Sequence, residues 1–164
     1  APLSRGWFVT GDAATHVARI SHLAAALRDG RSVYWDNYFF GGGTLLQFTG
    51  PVFHWIAALV SFAVGDATSA IKVVVTVARG VAGLFVYLLL RRLGAGRPAA
   101  SLGAIFYAGS YQLTYMEVIR SSFPQLINMA AMPAIFWCAA GIVQRPAVRS
   151  GSVAGLAQIG RAHV

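Results

Sequence analysis

A chain of 164 residues that is 57% hydrophobic and 11% charged, with a mean hydropathy of +0.62, stands far from soluble domains, in which roughly a quarter of residues are charged. Composition therefore excludes an ordinary soluble enzyme and predicts an all-α polytopic helical membrane protein. The net charge of +8 would suit nucleic acid, but the basic residues stand singly or in pairs at the ends of apolar runs, so no nucleic-acid surface is expected.

The single Cys138 lies in an apolar run and allows no intramolecular disulfide. No signal-peptide pattern opens the chain at Ala1, and residues 159–164, "IGRAHV", match one reading frame of a common sequencing-library adapter. They are set aside from fold reasoning as a non-native tail. The expectation is a fragment of a larger membrane protein.

Residues 1–50 read as a first extracytoplasmic loop in which Trp7 and Phe8 sit at headgroup level. Residues 11–43 hold three of the five acidic residues, Asp12, Asp29 and Asp36, and two of the four histidines. From Asp12 the spacing predicts a helix: Val17, Ile20, Ala24 and Leu27 form one apolar stripe, while His16, Arg19 and His22 turn elsewhere. Such a helix lies on the bilayer rather than across it. Gly30 ends it, and Arg28 suits the negative end of its dipole.

Residues 33–51 follow as an irregular loop crowded with Tyr34, Trp35, Tyr38, Phe39 and Phe40 before three glycines. Two readings stay open: an aromatic interfacial anchor, or a platform for a sugar or lipid headgroup. No G-x-x-x-x-G-K-[ST] pattern is present, so this is no phosphate loop. Residues 51–65 are apolar but short of the roughly twenty residues a span needs, and read as a juxtamembrane helix.

A transmembrane bundle over residues 66–158 is expected, with spans at about 68–90, 98–116 and 123–143. Arg91, Arg92 and Arg97 mark one loop as cytoplasmic, and Arg145 with Arg149 mark another, so the loop after Glu117 and the N-terminal segment face outward. Lys72, Thr76, Arg79 and Gly83 share one face of the first span. Lys72 can snorkel to the interface, whereas Arg79 requires either an acidic partner on another helix or an anionic ligand. Glu117 and Arg120, three residues apart, read as a local ion pair or a ligand-binding pair.

The order of these parts carries a resemblance: Gly11-Asp12 then His16, the amphipathic helix, a "W-D-x-x-x-F-G-G" segment from Trp35 to Gly42, "GPVFHWIAALVSFAVGD", and a span ending "YLLLRRLG". From about Gly11 to Gln144 the chain resembles GT-C superfamily membrane glycosyltransferases, most closely the bacterial group labelled 6-pyruvoyl-tetrahydropterin synthase-related membrane proteins. The resemblance implies a multi-pass protein of the bacterial cytoplasmic membrane that transfers a sugar from a polyprenyl-phosphate donor at the extracytoplasmic face.

Asp12 then matches the catalytic acidic residue of the first loop, with Asp36 a second choice. The commoner family pattern has two adjacent acidic residues, and here Gly11 and Ala13 flank Asp12. A carboxylate takes a proton from the attacking hydroxyl or holds a divalent cation, while His16, Arg19, Asp36, Arg79, Glu117 and Arg120 are the candidate substrate-binding groups. Asp12 is equally well suited to capping the helix that follows it. A transporter or permease, and a non-catalytic membrane scaffold, are the alternative classes.

Overall fold

The computed structural model describes residues 11–36, 42–44 and 50–144. The expectations for Trp7, Phe8, Tyr38, Phe39, Phe40, Arg145, Arg149 and residues 159–164 lie outside those. Six helices and one short ribbon make up the described residues: α1 (Ala13–Arg28), β1 (Trp35–Asp36), β2 (Gly43–Thr44), α2 (Pro51–Val64), α3 (Ala67–Arg92), α4 (Arg97–Ala108), α5 (Tyr111–Val118) and α6 (Phe123–Val143). The all-α expectation holds, the ribbon being a single antiparallel pairing of Trp35 with Thr44 and Asp36 with Gly43.

α3 and α6 are long and apolar enough to cross a membrane, at about 39 and 31 Å for 26 and 21 residues. Only 22% and 17% of their most apolar stretches are buried within the protein, so most of their apolar surface faces outward. The two helices run parallel: Val73 and Val74 line the same groove as Ile127, while Arg92 at the far end of α3 donates to the Trp137 carbonyl at 2.6 Å and stacks over the Trp137 ring. A cationic stem lying along a ring at a helix end keeps its charge at a polar boundary.

Between them the chain returns through α4 and α5. The stretch expected as one span over residues 98–116 is broken at Gly109 and Ser110. Ser110 takes extended backbone angles and its hydroxyl accepts from the Leu113 amide at 3.5 Å, so a new helix N-terminus forms within an apolar run. Gly83 of α3 faces α4, where an added Cβ would reach ordinary contact, 3.4 Å, with the Ala104 carbonyl oxygen and the Ala108 methyl. The Tyr107 hydroxyl donates to the Met129 carbonyl at 2.8 Å and ties α4 to α6.

α2 starts with Pro51 at the first turn, where its missing N–H costs nothing, and ends on Gly65 at φ 94. Its first neighbour, Gly50, lies beside Pro124 of α6, and its last is two residues from α3. Both ends of α2 therefore sit at the N-terminal end of the α3–α6 pair, and α2 lies across that end. Asp66 caps α3 by accepting from the Ser69 amide at 2.8 Å, and hydrogen bonds from the Ser69 side chain first and this amide second hold its carboxyl below the usual range.

α1 corrects the expected orientation. Its buried face is Ala13, His16, Ile20, Leu23 and Ala24, packed with Phe53, Ala57 and Ala58 of α2 and Ile71 of α3, so the stripe meets protein rather than bilayer. His16 belongs to that buried face. The reason is the partner helix: α2 brings aromatic and imidazole side chains that periodicity in α1 alone does not reveal.

Candidate functional site

At the end of the bundle that α2 covers, Asp12, Thr15, His16, Arg19, Gly50, Ser122 and Pro124 line a polar recess of about 330 Å³. α1 and its cap residue supply Asp12, Thr15, His16 and Arg19, and the backbone brings the start of α6, with Ser122 and Pro124, against them. The Asp12 amide donates to the Arg120 carbonyl at 3.4 Å, and Gly11, at φ +53, packs so close to that carbonyl that a Cβ would overlap it. The Gly11-Asp12 pair is thus a joint between two parts of the chain. Only glycine satisfies both the backbone angle and the contact.

Asp12 occupies the N-cap position of α1, yet its side chain makes no capping hydrogen bond. Its carboxylate stays exposed at the recess. His16 is 5% exposed and His54 of α2 fully buried, and the two rings meet with His16 Nδ1 3.0 Å from His54 Nε2. His54 Nδ1 lies 3.3 Å from the Gly50 carbonyl. Ring edges of Phe53 and Phe123 flank His16, at 5.9 and 5.4 Å between centroids.

Burial pushes the pKa of both imidazoles down to about 4, helped by the Arg19 charge and, for His54, by His16. His16 is therefore neutral near pH 7. It cannot steady a phosphate leaving group as a cation, because desolvation removes the charge. Arg19 is the cationic group of the recess.

The other candidate residues are not gathered there. Arg79 and Glu117 form their own site at the break between α4 and α5. The Arg79 guanidinium pairs with the buried Glu117 carboxylate, donates from Nε to the Ala108 carbonyl at 3.1 Å and from Nη2 to the Thr114 hydroxyl at 2.7 Å. The pairing expected between Glu117 and Arg120 is replaced by this one, since Glu117 turns into the bundle while the Arg120 side chain is exposed. Lys72 is buried near the start of α3 rather than extended into water, and acts electrostatically on Asp66. Asp36 lies in the ribbon with its backbone paired to Gly43, and its side chain falls outside what the structure describes.

Below the recess runs an aliphatic groove of about 390 Å³ lined by Ile56 and Val60 of α2, residues from Val73 to Val81 of α3, and Ile127, Ala130, Ala131 and Ala134 of α6. Pro124 in the recess and Ile127 in the groove stand three residues apart on one face of α6, about 4.5 Å along its axis. One helix face thus passes from the polar recess to the aliphatic groove.

Among the described residues no group of three His, Cys, Asp or Glu side chains converges. Asp12 and His16 are the two such groups of the recess, fewer than a divalent cation bound by protein alone would need.

His54, Thr114 and the Gly109-Ser110 break are the functional features that sequence reasoning passed over. The sequence did carry signals for two of them: a histidine in an otherwise apolar helix, and a Gly-Ser step inside an apolar run. No known protein family, curated protein or solved structure matches this chain.

Proposed function

We propose that this chain forms part of an integral membrane glycosyltransferase-like protein that transfers a sugar from a polyprenyl-phosphate donor at the extracytoplasmic face of a bacterial cytoplasmic membrane. One observation carries the reading: the recess and the aliphatic groove lie in series along α6, which suits a molecule with a charged, hydroxylated head and a long apolar tail. Arg19 would meet the phosphate, Asp12 would take the proton of the attacking hydroxyl, and the groove would hold the first part of the lipid chain. The sugar then moves to the attacking oxygen, and the polyprenyl phosphate leaves with the electron pair of the broken C–O bond.

Membrane placement rests on α3 and α6, whose apolar surfaces face mostly outward. Arg91, Arg92 and Arg97 collect at the end opposite the recess, a distribution that supports a recess outside under the positive-inside rule. The test is sugar transfer from a polyprenyl-phosphate donor in membranes holding the full protein, with Asp12→Asn as comparison. Transfer that persists at the wild-type rate in Asp12→Asn removes Asp12 from the chemistry.

A transporter is the second reading, favoured by the interrupted α4–α5 helix with Arg79 and Glu117 lodged in its break, since discontinuous helices with buried charge mark substrate paths. Solute uptake into vesicles that is abolished by Glu117→Gln, without sugar transfer by the wild type, would select it.

A further inference from the structure

The two buried histidines fix one another's hydrogen positions. The Gly50 carbonyl only accepts, so His54 Nδ1 must carry the hydrogen in their 3.3 Å bond. A neutral His54 then has a lone pair on Nε2, and the 3.0 Å contact requires His16 Nδ1 to donate. A neutral His16 that donates from Nδ1 has its remaining lone pair on Nε2. Because His16 lines the recess and its Nδ1 is committed to His54, Nε2 is the ring nitrogen it has left to offer there.

We infer that the Gly50–His54–His16 chain makes His16 Nε2 a permanent hydrogen-bond acceptor in the recess, selecting a ligand hydroxyl at that point and turning anionic oxygens away toward Arg19. A neutral imidazole lone pair attracts an O–H and repels a phosphate oxygen, so the recess is divided into a hydroxyl-receiving wall and an anion-receiving wall. Phe53 and Phe123 flank the ring with uncharged edges, and the charged groups that act on the pair are Arg19 and Asp12, both on α1. His54 is the positioning residue: it touches no ligand but sets which nitrogen of His16 bears the proton. The assignment of a sugar hydroxyl as the natural occupant rests on the glycosyltransferase reading, whereas the tautomer relay does not.

The experiment is nitrogen-15 NMR of histidine-labelled protein in lipid nanodiscs at pH 7. Both rings are expected as Nδ1–H tautomers, with His16 Nε2 unprotonated. Adding n-octyl β-D-glucoside should move the His16 Nε2 resonance in the direction of an accepted hydrogen bond without protonating it, and inorganic phosphate should leave it in place. His54→Phe removes the acceptor and should give His16 a mixture of both tautomers.

An Nε2–H tautomer of His16 in the wild type overturns the relay. A resonance that responds to phosphate but not to the glucoside overturns the hydroxyl selectivity. Should the wild type show the relay and the glucoside response yet transfer no sugar, the glycosyltransferase reading fails and the hydroxyl-accepting site stands.

Discussion

Glu117 takes its counter-charge from Arg79, 38 residues earlier on α3, and both are held at the break where α4 gives way to α5. The Ala108 carbonyl at the last turn of α4 accepts from the same guanidinium, so one arginine answers a carboxylate and a helix C-terminus together. Removing either partner leaves a buried charge uncompensated. Arg79→Leu and Glu117→Leu are each expected to destabilise the fold by about 3–5 kcal/mol, and the double variant to regain most of that. Thermal unfolding of the four proteins in detergent measures it; single variants as stable as the wild type would show that the pair carries no structural weight.

The break itself depends on Ser110. Ser110→Ala removes the capping oxygen and should cost about 1 kcal/mol, concentrated in α5. Hydrogen exchange of the amides at 111–114 should accelerate, with α6 unchanged. Uniform exchange in both proteins would mean that Arg79, rather than the cap, holds α5 in register.

At Asp12 the two roles separate by size. The side chain makes no cap bond, so Asp12→Ala should change stability by less than the roughly 1 kcal/mol of a working cap. Loss of a positioned proton acceptor lowers a transfer rate about a hundred- to ten-thousand-fold. Gly11→Ala is the opposite case: it strains a positive φ and drives a Cβ into the Arg120 carbonyl, so stability falls. Melting curves of the two variants, set beside sugar transfer, read both effects.

The histidine pair predicts an acid limit to folding. Each folded-state pKa is depressed from 6.5 to about 4, so above pH 6.5 neither ring alters stability. As pH falls from 6.5 toward 4 the unfolded chain binds protons that the folded chain refuses, and stability declines through that window. One ring shifted so far is worth about 3 kcal/mol, and two rings sharing a hydrogen bond act as a coupled pair rather than as independent contributions. Unfolding against pH should show this loss in the wild type and less of it in His16→Phe. An unchanged profile in His16→Phe would assign the acid limit elsewhere.

Topology is tested by single cysteines placed at 12, 92, 120 and 149 after Cys138→Ala, Arg120 standing in for the buried Glu117 of the same loop. Positions 12 and 120 should react with an impermeant reagent added outside, and 92 and 149 should not. Labelling of position 92 from outside would invert the proposed orientation.

The chain's composition and local spacing determined that it is helical and that α2 is too short to span a membrane; of the three spans they suggested, α3 and α6 are long and apolar enough, and the one over residues 98–116 is broken at Gly109 and Ser110. These follow from periodicity and length, which are properties of neighbours in sequence. Asp12, His16 and Arg19 were legible as a candidate group for the same reason, lying within about two turns at the start of one helix.

Tertiary structure decided the rest. His54 reaches His16 across 38 positions, Arg79 finds Glu117 across another 38, and Arg120 loses the role that its nearness suggested. Protonation and pairing depend on burial and on what stands opposite a side chain. Those are set by how α2 lies over α1, α3 and α6, which no spacing within a single helix encodes.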